Sequence, residues 1–332
     1  MHTVCLIPGD GIGPEVVPAT RRLLEATGVP LTFVEAEAGW ATFQQRGTSV
    51  PPETLEKVRG SDATLAGAFT SPKRKVEGHF GAIRSMRRTF DLFANLRPAR
   101  TRPLPGSAPG VDLLMVRENT EGLYVDFERR YGDIAIADAM VSRRASERIA
   151  HVAMQQAQRR RGRVAIVHKA NVLPLTSGLF LETALEVAAG YPDVEAVDII
   201  VDAAAMRLVR DPGSFDVLVS TNLFGDILSD LTAGLVGGLG VAPSANIGED
   251  AAIFEPVHGS APDIAGRGAA NPTATMLSAA MMLEHLGEHT AAVRLERAVD
   301  AALEHGPRTA DLGGDADTET FTDAVIAAYG AA

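Results

Sequence analysis

Over the first 70 residues short apolar runs alternate with longer amphipathic stretches, which predicts strand at 3–7, helix at 13–27, strand at 31–36, helix at 52–59 and strand at 62–67. Runs of about five apolar residues between Gly, Pro and polar clusters read as strands, and stretches with helical spacing as helices. The middle of the chain repeats the pattern, with strands predicted at 113–117, 164–167, 197–201 and 217–220 among helices at 142–160, 176–189 and 222–236. From about 272 onward the spacing is helical almost throughout, in Ala-rich segments at 272–286, 289–305 and 318–330 expected to pack back on the first sheet. This order of elements implies an α/β protein. The proline-rich stretch from Arg97 to Gly106 and the glycines Gly234, Gly237, Gly238 and Gly240 read as crossings between two lobes, residues 1–94 plus 238–332 and residues 95–237.

Composition narrows the class. At 332 residues and 46% hydrophobic content the chain can bury a large core, and its net charge of -11 argues against nucleic acid as a partner. Cys5, the only cysteine, lies in the apolar run Val4-Cys5-Leu6-Ile7, so it reads as a core strand residue, and a reducing, cytoplasmic setting is expected. No apolar stretch reaches the roughly 18 to 20 residues that span a bilayer, and Met1 leads directly into a strand, so neither membrane insertion nor export is expected. The run from Arg159 to Arg163 reads as a solvated helix end rather than a binding patch. Trp40 is expected at a core edge.

The most specific chemical signal is Asn222-Leu-Phe-Gly-Asp226-Ile-Leu-Ser-Asp230, where two carboxylates four residues apart share a helix face. Ile227, Leu228, Leu231, Leu235 and Val236 leave little polar surface around them, which predicts inward carboxylates neutralised by a cation; the alternative is a solvated face. Oxygen donors without a cysteine or histidine cluster select Mg²⁺ or Mn²⁺. Arg84, Arg87, Arg97 and Arg117 recur at element ends, and guanidinium forks suit a small polycarboxylate. Lys169 and Asp202 each follow a predicted strand, where open α/β sheets place their sites. Glu255 to Gly266, then Asn271-Pro272, form a glycine-containing loop before a helix, whose amides can cradle phosphates. Pro8-Gly9-Asp10-Gly11-Ile12-Gly13-Pro14 invites a dinucleotide fingerprint, but its last glycine position is Pro14. A Rossmann fold is therefore not expected, and the glycines read as a tight turn against another segment.

Together, the stretches Pro8 to Glu15, Arg117-Glu-Asn-Thr-Glu121, Asn222 to Asp230 and Glu255-Pro-Val-His-Gly-Ser-Ala-Pro262 resemble the isocitrate/3-isopropylmalate dehydrogenase family, in order and with its spacing from residue 4 to about 325. The resemblance implies the isopropylmalate dehydrogenase-like two-lobed α/β fold with open mixed sheets, and oxidation of a 3-substituted (2R)-malate by NAD(P)⁺ with loss of the C3 carboxylate. It implies that Arg87, Arg97 and Arg117 hold the malate carboxylates. Asp226 and Asp230 of one subunit and Asp202 of another match the metal ligands. Lys169 of that other subunit matches the residue that takes or relays the hydroxyl proton, and Tyr124 the acid that reprotonates C3. A site shared in this way requires a homodimer and leaves a tetramer open, with dimerisation and metal on the smaller lobe and cofactor on the larger. Glu255, His258, Gly259, Ser260, Ala261, Asp263, Ile264 and Asn271 match the cofactor loop. NADP-preferring relatives place Lys-Tyr where Asp263-Ile264 stand, and a carboxylate there favours ribose hydroxyls over a 2′-phosphate, so NAD is expected.

Within the family, Ser71-Pro-Lys-Arg-Lys-Val76, Phe80-Gly-Ala-Ile-Arg84 and Glu118 to Tyr124 are most similar to the branch that converts homoisocitrate to 2-oxoadipate in lysine biosynthesis by the α-aminoadipate route. Isocitrate specialists carry Ser and Asn at the positions of Gly81 and Ile83, and isopropylmalate enzymes an aliphatic patch. Here Arg84 shares a helix face with Arg87 and suits a carboxylate at the end of the C3 substituent. One methylene is worth about 1 to 3 kcal/mol, so isocitrate is expected as a second substrate. Were Arg84 turned to solvent, Ile83 would line the pocket and 3-isopropylmalate would be favoured. Glu77 and His79 precede the helix with open roles. A non-catalytic regulatory subunit is the rival from another class; against it, Tyr124, Lys169, Asp202, Asp226 and Asp230 are all retained.

Overall fold

The computed structural model describes residues 1–74 and 76–331, so Lys75 of the Ser71–Val76 motif lies outside the described residues. The chain begins β1 (His2–Gly9), α1 (Gly13–Ala26), β2 (Leu31–Glu35), α2 (Trp40–Arg46), α3 (Pro52–Arg59), β3 (Ala63–Ala68) and α4 (Ala82–Thr89). It continues β4 (Ala94–Arg100), β5 (Asp112–Glu118), β6 (Glu128–Tyr131), β7 (Ile134–Ala137), α5 (Arg143–Gln158), β8 (Arg163–His168) and α6 (Thr176–Ala188). Then come β9 (Glu195–Ile200), α7 (Val201–Arg210), β10 (Val217–Ser220) and α8 (Asn222–Val236). The last elements are β11 (Pro243–Ile247), β12 (Ala252–Pro256), α9 (Thr273–His285), α10 (His289–His305) and α11 (Thr318–Ala331). Contacts divide the chain into two compact units: Met1–Asp91 with Arg102–Ser107 and Gly237–Ala332, and Leu92–Thr101 with Ala108–Val236.

In the first unit the strand order is β2-β1-β3-β12-β11, parallel except for the antiparallel β11–β12 pair. That mixed order is not the Rossmann order. Central β1 buries Val4, Cys5, Leu6 and Ile7 completely or nearly so, as a strand covered on both faces must. Burial pushes the Cys5 thiol up to about 11, which leaves it an inert core residue. Of the C-terminal helices expected on this sheet α9, buried from Thr273 to Ala280, packs on β3, β11 and β12, whereas α10 packs on α9 and α11 on α10 and α1.

The glycine turn after β1 is a packing device. Gly11 has φ +59°, and a Cβ there would lie 1.9 Å from the carbonyl oxygen of Ser260. Asp10, inside the same turn, is buried and accepts the backbone N–H groups of Trp40 (2.8 Å), Ala41 (3.0 Å) and Thr70 (2.9 Å). It thereby caps α2, a short helix that the hydropathy pattern does not announce.

In the second unit the order is β4-β5-β10-β8-β9, antiparallel at β4–β5 and parallel elsewhere. The stretch from Arg97 to Gly106, expected as a linker, is strand up to Arg100, because the register from Ala94↔Glu118 to Arg100↔Asp112 carries Pro98 despite its missing donor. Its continuation is also tied down: Arg102, 5% exposed, donates to Asp300 (2.8 Å) and Glu296 (3.2 Å) of α10. The Arg159–Arg163 run is likewise more than a solvated helix end. Arg160 donates to Asp216 (2.8 Å), whose buried carboxylate demands a cation, and to Asp112 (2.7 Å). β6 and β7 pair as a separate exposed hairpin. Among the described residues no helix is long and apolar enough to cross a membrane.

Candidate active site

In the second unit α8 lies against β4 and β5 and faces them with small and polar residues, Asn222, Gly225, Ser229 and Thr232. Gly225 is needed for that approach, since a Cβ there would sit 2.8 Å from the Arg117 side chain. Arg117, 2% exposed on β5, donates to Asn222 Oδ1 through Nε (3.1 Å) and a terminal nitrogen (2.6 Å), and to Asp226 Oδ1. Arg97 on β4 donates to Ser229 Oγ (2.7 Å) and Asp230 Oδ1 (3.1 Å), with Asp226 Oδ1 at 3.5 Å. The Tyr124 hydroxyl donates to Asp226 Oδ2 (2.8 Å). Arg97, Arg117, Tyr124, Asp226 and Asp230 thus form one charge-balanced group.

The expectation of inward carboxylates in an apolar face needs correction. Ile227 is 60% exposed and Asp230 is exposed, while α8 buries a small and polar set, Asn222, Gly225, Ser229 and Thr232, together with Leu228 and Val236, whose core cluster Leu231 and Leu235 pack against. The compensating cations for the pair are Arg97 and Arg117. Desolvation, with the Asp226 charge as a smaller contribution, holds the Asp230 carboxyl above its usual range.

Lys169 and Asp202 form a second pair, an ion pair between the residue after β8 and the first turn of α7. The hydrogen bond from Lys169 holds the Asp202 carboxyl below its ordinary range. Among the described residues no three His, Cys, Asp or Glu side chains gather as a metal cluster, so within one chain Asp202 does not join Asp226 and Asp230.

In the first unit Arg87 of α4 donates to Asn246 Oδ1 (2.9 Å) and Glu255 Oε1 (3.2 Å), and Asn246 donates to the same Glu255 oxygen (2.8 Å). Arg84 and Arg88 lie over the Phe80 ring, at 5.0 and 4.7 Å. Trp40, Phe43 and His79 form an aromatic cluster, with His79 edge-on at 5.1 and 4.9 Å. His79 thus packs edge-on against both rings, its Nε2 buried without a hydrogen-bond partner among the described residues, and Trp40 takes the partly buried place expected of it.

The 255–271 loop is braced from several sides. Ser260 accepts from Thr70 Oγ1 (2.6 Å) and, at its carbonyl, from Ile12 N–H (2.9 Å). Gly266 N–H donates to Glu15 Oε1 (2.6 Å). Asn271 bridges Asp311 (2.9 Å) and the N–H of Thr273 (3.0 Å), which caps α9. Ala261 sits at φ +39°, a conformation costing roughly 1 to 3 kcal/mol in a non-glycine residue. Gly259 and Asp263 are exposed, and Ile264 is partly buried. His258 uses Nδ1 on the Gly259 carbonyl (3.0 Å), while its Nε2 and the Oε2 of Glu15 are buried without a hydrogen-bond partner among the described residues. Two buried acceptors against a braced loop fit a ligand that carries N–H or O–H donors, as a nucleotide does.

Asn222, Ser229, Asn246, Asp10 and Asp311 are the site neighbours for which sequence reasoning found no role. Asn222, Ser229 and Asp10 lie inside the motifs themselves, but nothing in their spacing reveals which arginine or amide they serve.

Burial depresses the His258 and His285 imidazoles below their ordinary 6.5, in His258 against the opposing influence of Asp311 and Glu255. The unfolded chain then binds more protons than the fold as pH falls through 6.5. The stability these residues contribute is present above that pH and lost below it. Urea midpoints measured from pH 8 to 5 should decline below about 6.5, and less steeply in His285→Phe; a flat profile would contradict this.

The chain belongs to the isocitrate/isopropylmalate dehydrogenase family, whose model matches residues 3–325. It is 67% identical over 98% of both chains to the isocitrate/homoisocitrate dehydrogenase of Thermus thermophilus. It is 48% identical, over the same shares, to the 3-isopropylmalate dehydrogenase of Archaeoglobus fulgidus. The crystal structure of isocitrate dehydrogenase from Methylococcus capsulatus superposes with a TM-score of 0.93 at 47% identity, covering 99% of each chain. The open mixed sheets are those of this family.

Proposed function

We propose that the chain carries out the NAD-dependent oxidative decarboxylation of a 3-substituted (2R)-malate, with homoisocitrate preferred and isocitrate as a second substrate. The observation that carries this reading is the pairing of Arg97 and Arg117 with Asp226 and Asp230. A polycarboxylate arriving with a divalent cation can exchange partners there: arginines turn to the substrate carboxylates and aspartates to the cation, so no charge is stranded. The all-oxygen donors of Asp226 and Asp230, with Asp202 from a second copy, fit Mg²⁺ or Mn²⁺, which would supply positive charge at the 2-hydroxyl oxygen.

Arg87, Arg97 and Arg117 orient the malate carboxylates, directing the C2 hydrogen toward the nicotinamide. Lys169 takes or relays the hydroxyl proton, and Tyr124, already a donor to Asp226, delivers a proton to C3. The active species is a homodimer, because Lys169 and Asp202 act on the partner's substrate. The loop from Glu255 to Asn271 holds NAD, and exposed Asp263 meets the ribose hydroxyls.

The 67% identical relative named for isocitrate and homoisocitrate supports the substrate choice. The 48% identical relative named for 3-isopropylmalate marks the rival. Initial rates of NADH formation with the three acids at equal Mg²⁺ separate them. Homoisocitrate or isocitrate should lead, and Arg84→Val should lower kcat/KM for homoisocitrate by about 100-fold while raising it for 3-isopropylmalate, the effect of losing one charge-assisted carboxylate contact. A wild-type preference for 3-isopropylmalate would refute the choice.

A further inference from the structure

Lys169 directly follows β8, and Asp202 lies two residues beyond the end of β9, the strand beside it. The pairing of these two strand ends therefore sets how the lysine meets its carboxylate. Register places His168 opposite Ile200 and Ile166 opposite Asp198, so His168 and Asp198 are diagonal neighbours across the pair. The His168 ring, 5% exposed, lies with Nε2 3.1 Å from Asp198 Oδ2, and its Nδ1 receives the backbone N–H of Ala170 at 3.1 Å. An amide can only donate, so Nδ1 is the acceptor and Nε2 carries the hydrogen given to Asp198. The N–H of Lys169 itself goes to Ser177 Oγ at 2.7 Å. Two successive amides at the lysine are thus held by side chains.

We propose that His168 and Asp198 are positioning residues: together they lock the 169–170 backbone to β9 and so aim the Lys169 ammonium at Asp202 and the substrate hydroxyl. This rests on the role given above to Lys169. Asp198 fixes the tautomer; without it the ring can turn a hydrogen toward the Ala170 amide and lose the acceptor. An apolar residue in place of His168 would fill the space but leave that amide unpaired.

The test uses the purified full chain with NAD, Mg²⁺ and its best acid, unlabelled and deuterated at C2. His168→Leu should lower kcat about tenfold, leave KM within about threefold, and raise the deuterium isotope effect on kcat, because the chemical steps become limiting. His168→Asn, whose side-chain oxygen can accept from Ala170, should recover most of the rate. Asp198→Ala, altering an exposed side chain, should fold and lose about threefold. Wild-type kcat and isotope effect in both His168→Leu and Asp198→Ala would overturn the proposal, as would equal losses in His168→Leu and His168→Asn with an unchanged isotope effect. Should His168→Leu not fold, the other two variants decide alone. Lys169→Met separates the layers: a nearly inactive enzyme upholds the lysine's role independently of His168, whereas retained activity defeats that role and this proposal with it. Wild type inactive on all three acids defeats the functional reading itself.

Discussion

Asp226→Asn should lower kcat by about 10²- to 10³-fold and destabilise the fold by about 3 kcal/mol. Asp226 accepts from Arg117 on one oxygen and from Tyr124 on the other, and Arg117 is 2% exposed. Neutralising the carboxylate takes the negative charge from a buried guanidinium that also donates to Asn222, and removes a proposed metal ligand together with the anchor of the proposed C3 acid. Asp230→Asn provides the contrast. Its carboxylate is 53% exposed and bonded to Arg97, so stability should hardly move while Mg²⁺-dependent activity falls. Urea denaturation and Mg²⁺ titration of both variants check this; a D226N protein with wild-type midpoint and kcat would remove Asp226 from the site.

Asp10→Ala should cost about 3 to 5 kcal/mol, a large fraction of the stability of a typical domain. The carboxylate takes three backbone N–H groups from two places in the chain, and a Cβ at Gly39 would lie 2.5 Å from it, so no water-sized space stands ready behind it. Alanine leaves three buried or half-buried donors unmet. Asp10→Asn keeps two lone pairs for three donors and should fall between. Thermal unfolding of the three proteins should rank wild type, Asn, Ala; an alanine variant within a degree of wild type would deny Asp10 this role.

Long periodic elements were legible in the sequence because burial and periodicity agree in them: β1, α1, α5, α8 and the three C-terminal helices stand where the pattern puts them. What escaped is made of short elements held from outside. α2 is capped by Asp10, thirty residues upstream of Trp40, and β4 carries Pro98 within a register that only its partner strand defines. The motif Asn222 to Asp230 announced the chemistry of α8 but not its orientation. Of the apolar neighbours expected to wall the pair, Leu228 and Leu231 do pack with the core but Ile227 is exposed, and the tight approach to Arg117 required glycine at 225 on the inner side. The loop from Glu255 to Asn271 was recognisable by resemblance, while its braces, Glu15, Thr70 and Asp311, come from distant parts of the chain.

The division of the chain between its units has a consequence for synthesis. The first unit is built from three separated segments, and its strand β3 waits for β12 until the ribosome has added Leu92 to Val236 and more. At about 5 to 20 residues per second that delay is roughly 10 to 30 seconds, long beside the milliseconds to seconds in which domains fold. The second unit, apart from a short excursion, is complete as soon as α8 emerges. During translation β1, β2 and β3 therefore exist for that interval without β12, while the second unit already has all its segments, so the first unit is the later of the two to complete its sheet.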